Sequence, residues 1–373
     1  MSIFQPFLME RWQSLHENRV QHNLSESGVH PLTVGELLRL AGESIDSLGI
    51  GYGQSNGSDP LRARIAALYR GARDTGVVVM NGSAEANFAV MWELVRPGDA
   101  VAVLAPTYMQ TPGLARAFGA DVREIPLRED QGWQPDPDEI ASTVDSRTRL
   151  IVVTNPGNPT GAILTEEACT ALLDAAERTG AWILADEVYA GAEVDGPVTP
   201  SLFGRHPRVI ATGSLSKAWG LPGLRVGWAV APDPLAERLW ARSDYTTISP
   251  GQLTDHLATL ALRPDVRGPI LQRTRGLIHK GIDILEAWMG EVGGFTWRKP
   301  DAGAIAFLRY AHPIGSLALA ERLRADHGVL VVPGAHFDRE SFLRIGFGTP
   351  ATLRPALDRM TPVFAGLAGA GLT

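Results

Sequence analysis

Lys217 stands in Ser214-Leu215-Ser216-Lys217-Ala218-Trp219-Gly220, and Arg225 follows eight residues later. A lysine flanked by hydroxyls and glycine, with an arginine close behind, can hold an aldehyde that also carries a phosphate. The amine forms a Schiff base with the aldehyde. Ser214, Ser216 and Arg225 supply hydrogen bonds and charge to the phosphate. Pyridoxal phosphate (PLP) carries both groups.

Other residues extend this chemistry. Asp186 ends the run Ala181-Trp182-Ile183-Leu184-Ala185-Asp186 and precedes Glu187-Val188-Tyr189. A carboxylate at that point can pair with a protonated pyridine nitrogen and keep the ring an electron sink. Asn155-Pro156-Gly157-Asn158-Pro159-Thr160-Gly161 places two Asn-Pro pairs in one loop. That makes a rigid turn with an amide side chain fixed in place. Asn81-Gly82-Ser83-Ala84-Glu85 opens a helix, where free amides and the positive helix end can take a phosphate. Tyr108 follows Ala105-Pro106-Thr107. It can stack on a cofactor ring, though a core tyrosine would have the same sequence setting.

The elements that must position these residues are also legible. Residues 59–230 alternate helical and strand patterns. Ser58-Asp59-Pro60 reads as a helix start, and Leu61, Ile65 and Leu68 repeat on one face. Apolar runs at 77–80, 100–104, 150–154, 182–185, 209–212 and 226–230 read as buried strands, with a helix at 85–94. This is an α/β pattern, a mostly parallel sheet covered by helices on both faces. Ligands bind such sheets beyond the carboxyl ends of the strands. Residues 234–289 read as one long helical stretch, followed by a β-rich segment and a terminal helix. The expected division is a large domain over 46–260 and a smaller α+β domain built from 1–45 and 261–373.

Composition narrows the function classes. A net charge of -7 argues against a general affinity for nucleic acid. Met1-Ser2-Ile3-Phe4-Gln5-Pro6 lacks the basic start and long apolar core of a signal peptide. No apolar run approaches the roughly 20 residues that span a bilayer, so the cytoplasm is the expected compartment and no membrane partner is expected. Cys169 is the single cysteine, which excludes an internal disulfide and a Cys-based metal cluster. Its helical setting at 165–179 reads as a small core residue. The histidines have no metal-ligand spacing, so no metal is expected.

Taken together, the motifs resemble those of fold-type I PLP enzymes of the class I/II aminotransferase superfamily. The resemblance rests on Gly82-Ser83-Ala84-Glu85, Asn158-Pro159-Thr160-Gly161, Asp186 with Tyr189, Ser214-x-Ser216-Lys217, Arg225, and Phe342-Leu343-Arg344-Ile345-Gly346. It covers nearly the whole chain. It implies a PLP-transferase fold type I, whose large domain holds a mostly parallel seven-stranded sheet between helices. It implies that Lys217 forms the Schiff base and then moves the α-proton of an L-amino acid. Asp186 would bind the pyridine nitrogen, Asn158 and Tyr189 the ring oxygen, and Tyr108 the ring face. Ser83, Ala84, Glu85, Ser214, Ser216 and Arg225 would surround the phosphate, Ala84 and Glu85 through backbone amides. Arg344 would grip the substrate α-carboxylate. Tyr52, in Gly51-Tyr52-Gly53, would reach the partner subunit's phosphate, which implies a homodimer with shared active sites.

Transamination to a 2-oxo acid is the leading expectation. A narrower resemblance points to capreomycidine synthase-like PLP cyclases of hydroxylated arginine. It rests on Leu24-Ser25-Glu26-Ser27-Gly28-Val29-His30-Pro31-Leu32, on residues 214–228, on Asp244-Tyr245-Thr246-Thr247, and on residues 327–334. There a side-chain hydroxyl is expelled and the guanidine closes a ring. A guanidino substrate needs a carboxylate to meet it. Glu26, beside Gly28, is the first candidate and Glu10 the second. His30 is either a proton carrier or a structural histidine beside Pro31.

Overall fold

A computed structural model describes residues 5–370, with side-chain surroundings through residue 365. Met1 to Phe4, where the signal-peptide reading begins, lie outside the described residues.

The chain opens with helix α1 (Leu8–His16) and a two-residue strand, β1 (His22–Asn23). β1 pairs in parallel with Val329–Leu330, near the other end of the sequence. The segment that follows is held to the same region. The Leu24 amide donates to the Leu330 carbonyl, and the Leu24 carbonyl accepts from the Gly346 amide. Helix α2 (Asp59–Ala66) starts where Ser58-Asp59-Pro60 predicts. The Ser58 hydroxyl accepts from the Leu61 amide, and Leu61 and Ile65 face the core.

The large sheet has eight strands: β2 (Val77–Met80), β3 (Ala100–Ala105), β4 (Asp121–Arg128), β5 (Gln134–Pro135), β6 (Thr148–Thr154), β7 (Trp182–Asp186), β8 (Val209–Ser214) and β9 (Gly227–Val230). Their spatial order is β2-β9-β8-β7-β6-β3-β4-β5. The run from β8 to β4 is parallel; β9 is antiparallel to both neighbours, and β5 is antiparallel to β4. The mostly parallel sheet is as expected, and the strand count exceeds the expected seven because β5 adds a two-residue edge. The central strands are buried along almost their whole length, as helices on both faces require.

β4 is the strand that periodicity does not reveal. Near the sheet edge it buries only Ile125 and Leu127 and leaves charged residues half-covered, so it carries no continuous apolar run.

Helix α3 (Ser83–Leu94) follows β2. Helix α4 (Glu166–Thr179) is capped by Thr165 and ends at Gly180, φ +77°. Cys169 is buried on it, and burial raises its thiol pKa. The predicted helical stretch 234–289 is three helices, α5 (Asp233–Ser243), α6 (Gln252–Ala261) and α7 (Pro264–Val292). Pro250-Gly251 and Pro264 supply the interruptions, because proline lacks the amide that a continuing helix needs. A four-stranded antiparallel sheet shares one apolar core with α7 and α8 (Pro350–Ala370), Phe295 meeting Trp288 and Phe364. It contains β10 (Phe295–Thr296), β11 (Ile305–Tyr310), β13 (Val332–Pro333) and β14 (Phe342–Gly346), in the order β10-β11-β14-β13. β12 (Val329–Leu330) is the partner of β1. No helix among the described residues is long and apolar enough to cross a membrane.

Trp288 fills the seam between α7 and α8, and its Nε1 donates to Thr361 Oγ1 at 2.9 Å. Trp288→Ala leaves a cavity and removes the donor to the Thr361 hydroxyl, which keeps its bond to the Leu357 carbonyl. The expected loss is about 3–5 kcal/mol, read from the midpoint of chemical unfolding.

Candidate active site

A cavity of about 350 Å³ opens beyond the ends of β6, β7 and β8, where Thr154, Asp186 and Ser214 reach its wall. Asp186 is buried. Asn87 Nδ2 donates to its Oδ2 at 2.9 Å, and the Val188 amide donates to its Oδ1 at 3.3 Å. The Thr212 hydroxyl donates to Asn87 Oδ1 at 2.8 Å, which fixes that amide. Burial raises the Asp186 pKa above its ordinary value; Asn87, the Val188 amide and the Lys217 charge only partly offset it. Tyr189, 2% exposed, also lines the cavity, and its hydroxyl has no hydrogen-bond partner among the described residues. A buried unpaired hydroxyl is costly, so this one marks a place where a ligand atom fits.

Lys217 Nζ donates to Ser27 Oγ at 2.8 Å and to Glu26 Oε1 at 3.3 Å. The same Glu26 oxygen accepts from the Ser27 amide at 2.8 Å and the Gly28 amide at 3.1 Å. The Lys217 charge, helped by both amides and opposed by burial, holds the Glu26 carboxyl down at about 2. Burial works to lower the Lys217 pKa, but Glu26 and Tyr189 outweigh it and leave the amine above its ordinary value. The Glu26 side chain remains 53% exposed, so the pair sits at the cavity mouth and water screens it.

The phosphate-type groups converge on one side. Ser83 and Ala84 line the cavity at the start of α3, where first-turn amides have no intrahelical acceptor. Arg225 lies at φ +52°, a conformation costly for a non-glycine residue. Its Nη1 donates to the Pro222 carbonyl at 3.2 Å and to Ser216 Oγ at 3.5 Å. A Cβ on Gly82 would strike the Arg225 guanidinium, and one on Gly227 would strike the Gly82–Ser83 backbone. Both glycines therefore let β9 and Arg225 close against the helix start. The Glu85 side chain turns away from the cavity, accepting from the Asn81 amide, Thr246 Oγ1, and the Thr247 amide and hydroxyl. Only its backbone amide remains for a phosphate.

The opposite wall comes from α1. Met9, Glu10, Gln13 and Glu17 line the cavity, and positions 10, 13 and 17 share one helical face. The Tyr108 hydroxyl donates to Glu10 Oε1 at 2.8 Å, and Phe7 meets the Tyr108 ring edge-on at 4.9 Å. Gln13 Nε2 donates to the Ser25 carbonyl at 2.9 Å. Arg344, buried on β14, donates from Nη2 to that same carbonyl at 2.6 Å and from Nη1 to Asn158 Oδ1 at 3.1 Å. Met9 Sδ lies 3.3 Å from Nη1. Arg344 is not part of the cavity wall. Its Nε is buried and has no hydrogen-bond partner among the described residues.

The remaining predicted residues sit apart from the cavity. Tyr52 is 94% exposed. His30 is exposed and bonds through its backbone, to Gly348 and Arg273. Gly28 packs its backbone against the Ser216 carbonyl, 3.2 Å from where a Cβ would stand. Sequence reasoning passed over Asn87, Gln13, Glu17 and Ser27. Asn87 had a signal, as a lone amide in the apolar run Ala86-Asn87-Phe88-Ala89-Val90. The polar spacing of Glu10, Gln13 and Glu17 was another.

The sequence profile of the family described as aminotransferase class I and II matches residues 39–360. The chain belongs to this family. It is 37% identical over 356 residues to capreomycidine synthase of Streptomyces vinaceus, covering 94% of this chain and 90% of that protein. It is 32% identical over 343 residues to arginine–pyruvate transaminase AruH of Pseudomonas aeruginosa, covering 87% and 86%. A PLP-dependent aminotransferase of Streptococcus suis has the same fold, with a TM-score of 0.92 at 30% identity over 98% of both chains. The PLP-dependent cyclase OrfR superposes with a TM-score of 0.89 at 29% identity over 97% of both. The fold is PLP-transferase fold type I, and the chain is an enzyme of this family.

The cavity fits PLP. It offers an amine, a buried carboxylate, an unpaired tyrosine hydroxyl, and a helix start beside an arginine.

Glu187 lies behind this floor. Its Oε1 accepts from Ser201 Oγ at 2.9 Å and the Leu202 amide at 3.0 Å. Burial, with a contribution from Asp186, pushes its carboxyl from 4.5 to about 7. The folded state then binds more protons than the unfolded state between those values, so stability falls as pH rises through that window. Glu187→Gln keeps an acceptor oxygen and removes the titration. The expected outcome is a flatter stability profile, with a gain of up to about 3 kcal/mol above pH 7 in denaturant titrations.

Proposed function

We propose that this chain is a PLP-dependent enzyme that removes the α-proton of an L-amino acid through Lys217 and passes the amino group to a 2-oxo acid. The convergence of Lys217, Asp186 and the unpaired Tyr189 hydroxyl on one cavity carries this reading. Bound PLP supplies an electron sink for the electrons left at the substrate α-carbon. Asp186 would hold the ring nitrogen, with Asn87 fixing its other side. Tyr189 and Asn158 would hold the ring oxygen, and Tyr108 would cover the ring. Ser83, Ser214, Ser216, Arg225 and the amides of Ala84 and Glu85 would hold the phosphate. Arg344 takes the substrate carboxylate once Met9 moves. Lys217 accepts the α-proton and returns it.

We assign the substrate side chain to the cationic class. Glu10, Glu17 and Glu26 all line the cavity. Burial first, then the charges of Glu26 and Glu10, raises the Glu17 pKa. A guanidinium or ammonium between these carboxylates relieves their repulsion. Likeness to an arginine–pyruvate transaminase supports this class. The second reading, elimination and ring closure of a hydroxylated arginine, draws on the 37% identity to capreomycidine synthase and uses the same carboxylates. The proposal includes cytoplasmic residence and a homodimer, in which the exposed Tyr52 reaches the partner's phosphate site.

A single-turnover reaction of the PLP-loaded protein, without 2-oxo acid, tests the proposal. Arginine, 3- and 4-hydroxyarginine and neutral amino acids are offered while cofactor spectrum and product mass are followed. Release of a 2-oxo acid with the cofactor left as its amine is the expected result. Loss of water with PLP retained favours ring closure, and a protein that stays colourless with PLP refutes both readings. Glu17→Gln is expected to raise the KM for a cationic substrate about ten-fold, or about 1.4 kcal/mol, and to leave neutral substrates unchanged.

A further inference from the structure

The contact between Lys217 and the 26–27 pair carries more than a side-chain preference. Glu26 is built in place without the lysine. Its Oε1 accepts two successive backbone amides, Ser27 and Gly28, which fix the carboxylate in an anion-holding turn. The surrounding backbone is fixed as well. Leu24 is bonded to Leu330 and Gly346, and the Ser25 carbonyl accepts from Gln13 and Arg344. A Cβ on Gly346 would collide with the Glu26 carbonyl, so the segment lies directly against β14. Among the described residues Lys217 is the one cation bonded to Glu26.

We propose that Glu26 and Ser27 are positioning residues for Lys217: they receive its amine whenever that amine has no covalent partner, and Glu26 keeps it an ammonium. This rests on the reading of Lys217 as the residue that joins PLP. An amine attacks a carbonyl carbon through a free lone pair. Its extra proton must first leave to water; the new carbon–nitrogen bond then forms, and the carbonyl oxygen departs as water. The same free lone pair is needed to accept a substrate proton. Glu26 thus sets the pH above which Lys217 can do either, while Ser27, a neutral acceptor, sets the direction of the amine. Other charged and titratable groups face the amine. Asp186 ends β7 and Tyr189 follows it, Arg344 lies on β14 and Arg225 precedes β9; Glu10 on α1, Glu17 just after α1, and Tyr108 stand across the cavity. Glu26 is the one of these carboxylates in contact with Nζ.

The test titrates Lys217 in wild type, Glu26→Gln, Glu26→Asp and Ser27→Ala, with folding checked by circular dichroism. Cofactor-free protein is mixed with PLP from about pH 7 to about pH 12, a range that reaches past the ordinary lysine value of about 10.4, and incorporation is followed by absorbance. In Glu26→Gln the midpoint of the rate profile should fall by about one unit, with about ten-fold faster incorporation at neutral pH. Glu26→Asp should lie between it and wild type, and Ser27→Ala should keep the wild-type midpoint. Competitive acetylation of Lys217, read by mass spectrometry over the same pH range, follows the amine without any cofactor. A midpoint equal in wild type and Glu26→Gln overturns the proposal. A midpoint that drops in Glu26→Gln while the wild type rejects PLP upholds the role of Glu26 and refutes the cofactor reading instead.

Discussion

A carboxylate buried at the end of a central strand is the constraint on which the rest of this site depends. Asp186 ends β7, which lies between β6 and β8. Placing an acid there requires a fixed donor on the protein side and an open position toward the cavity. Asn87 supplies the first, and it is itself held by Thr212 on β8. The parallel register of β6, β7 and β8 supplies the second, because Thr154, Asp186 and Ser214 all emerge at the same sheet edge. Lys217 and Arg225 flank the reversal between β8 and β9, so the amine and the guanidinium follow from the same topology.

The second wall has a different origin. It is assembled from opposite ends of the chain, through the β1–β12 pairing and the bonds of Leu24 to Leu330 and Gly346. One peptide carbonyl, that of Ser25, joins Gln13 on α1 to Arg344 on β14. The helix facing the cavity and the arginine expected to hold substrate therefore share a single acceptor.

How legible each part was follows from how local its cause is. The strands β2, β3, β6, β7 and β8 were readable because burial on both faces writes an unbroken apolar run. β4 was not, since it lies near an edge and alternates charge with apolar residues. The breaks in the 234–289 stretch lay at Pro250 and Pro264, and the helical composition on either side masked them. Among site residues, Lys217, Asp186, Asn158, Tyr189 and Ser214 reach one cavity, because each sits at a strand end or in the loop just after it. Ser27 carried no comparable signal, because its nearness to Lys217 depends on tertiary packing. The same packing turned Arg344 toward Ser25 and Asn158, an orientation no local pattern encodes.

The placement of α1 has an evolutionary consequence. Within one chain the groups proposed to meet the ring and its phosphate lie between residues 81 and 228, whereas two of the three carboxylates proposed to meet the substrate side chain, Glu10 and Glu17, fall within residues 10–17. A few substitutions on one short helix can therefore redirect which molecules are accepted without touching the chemistry beneath.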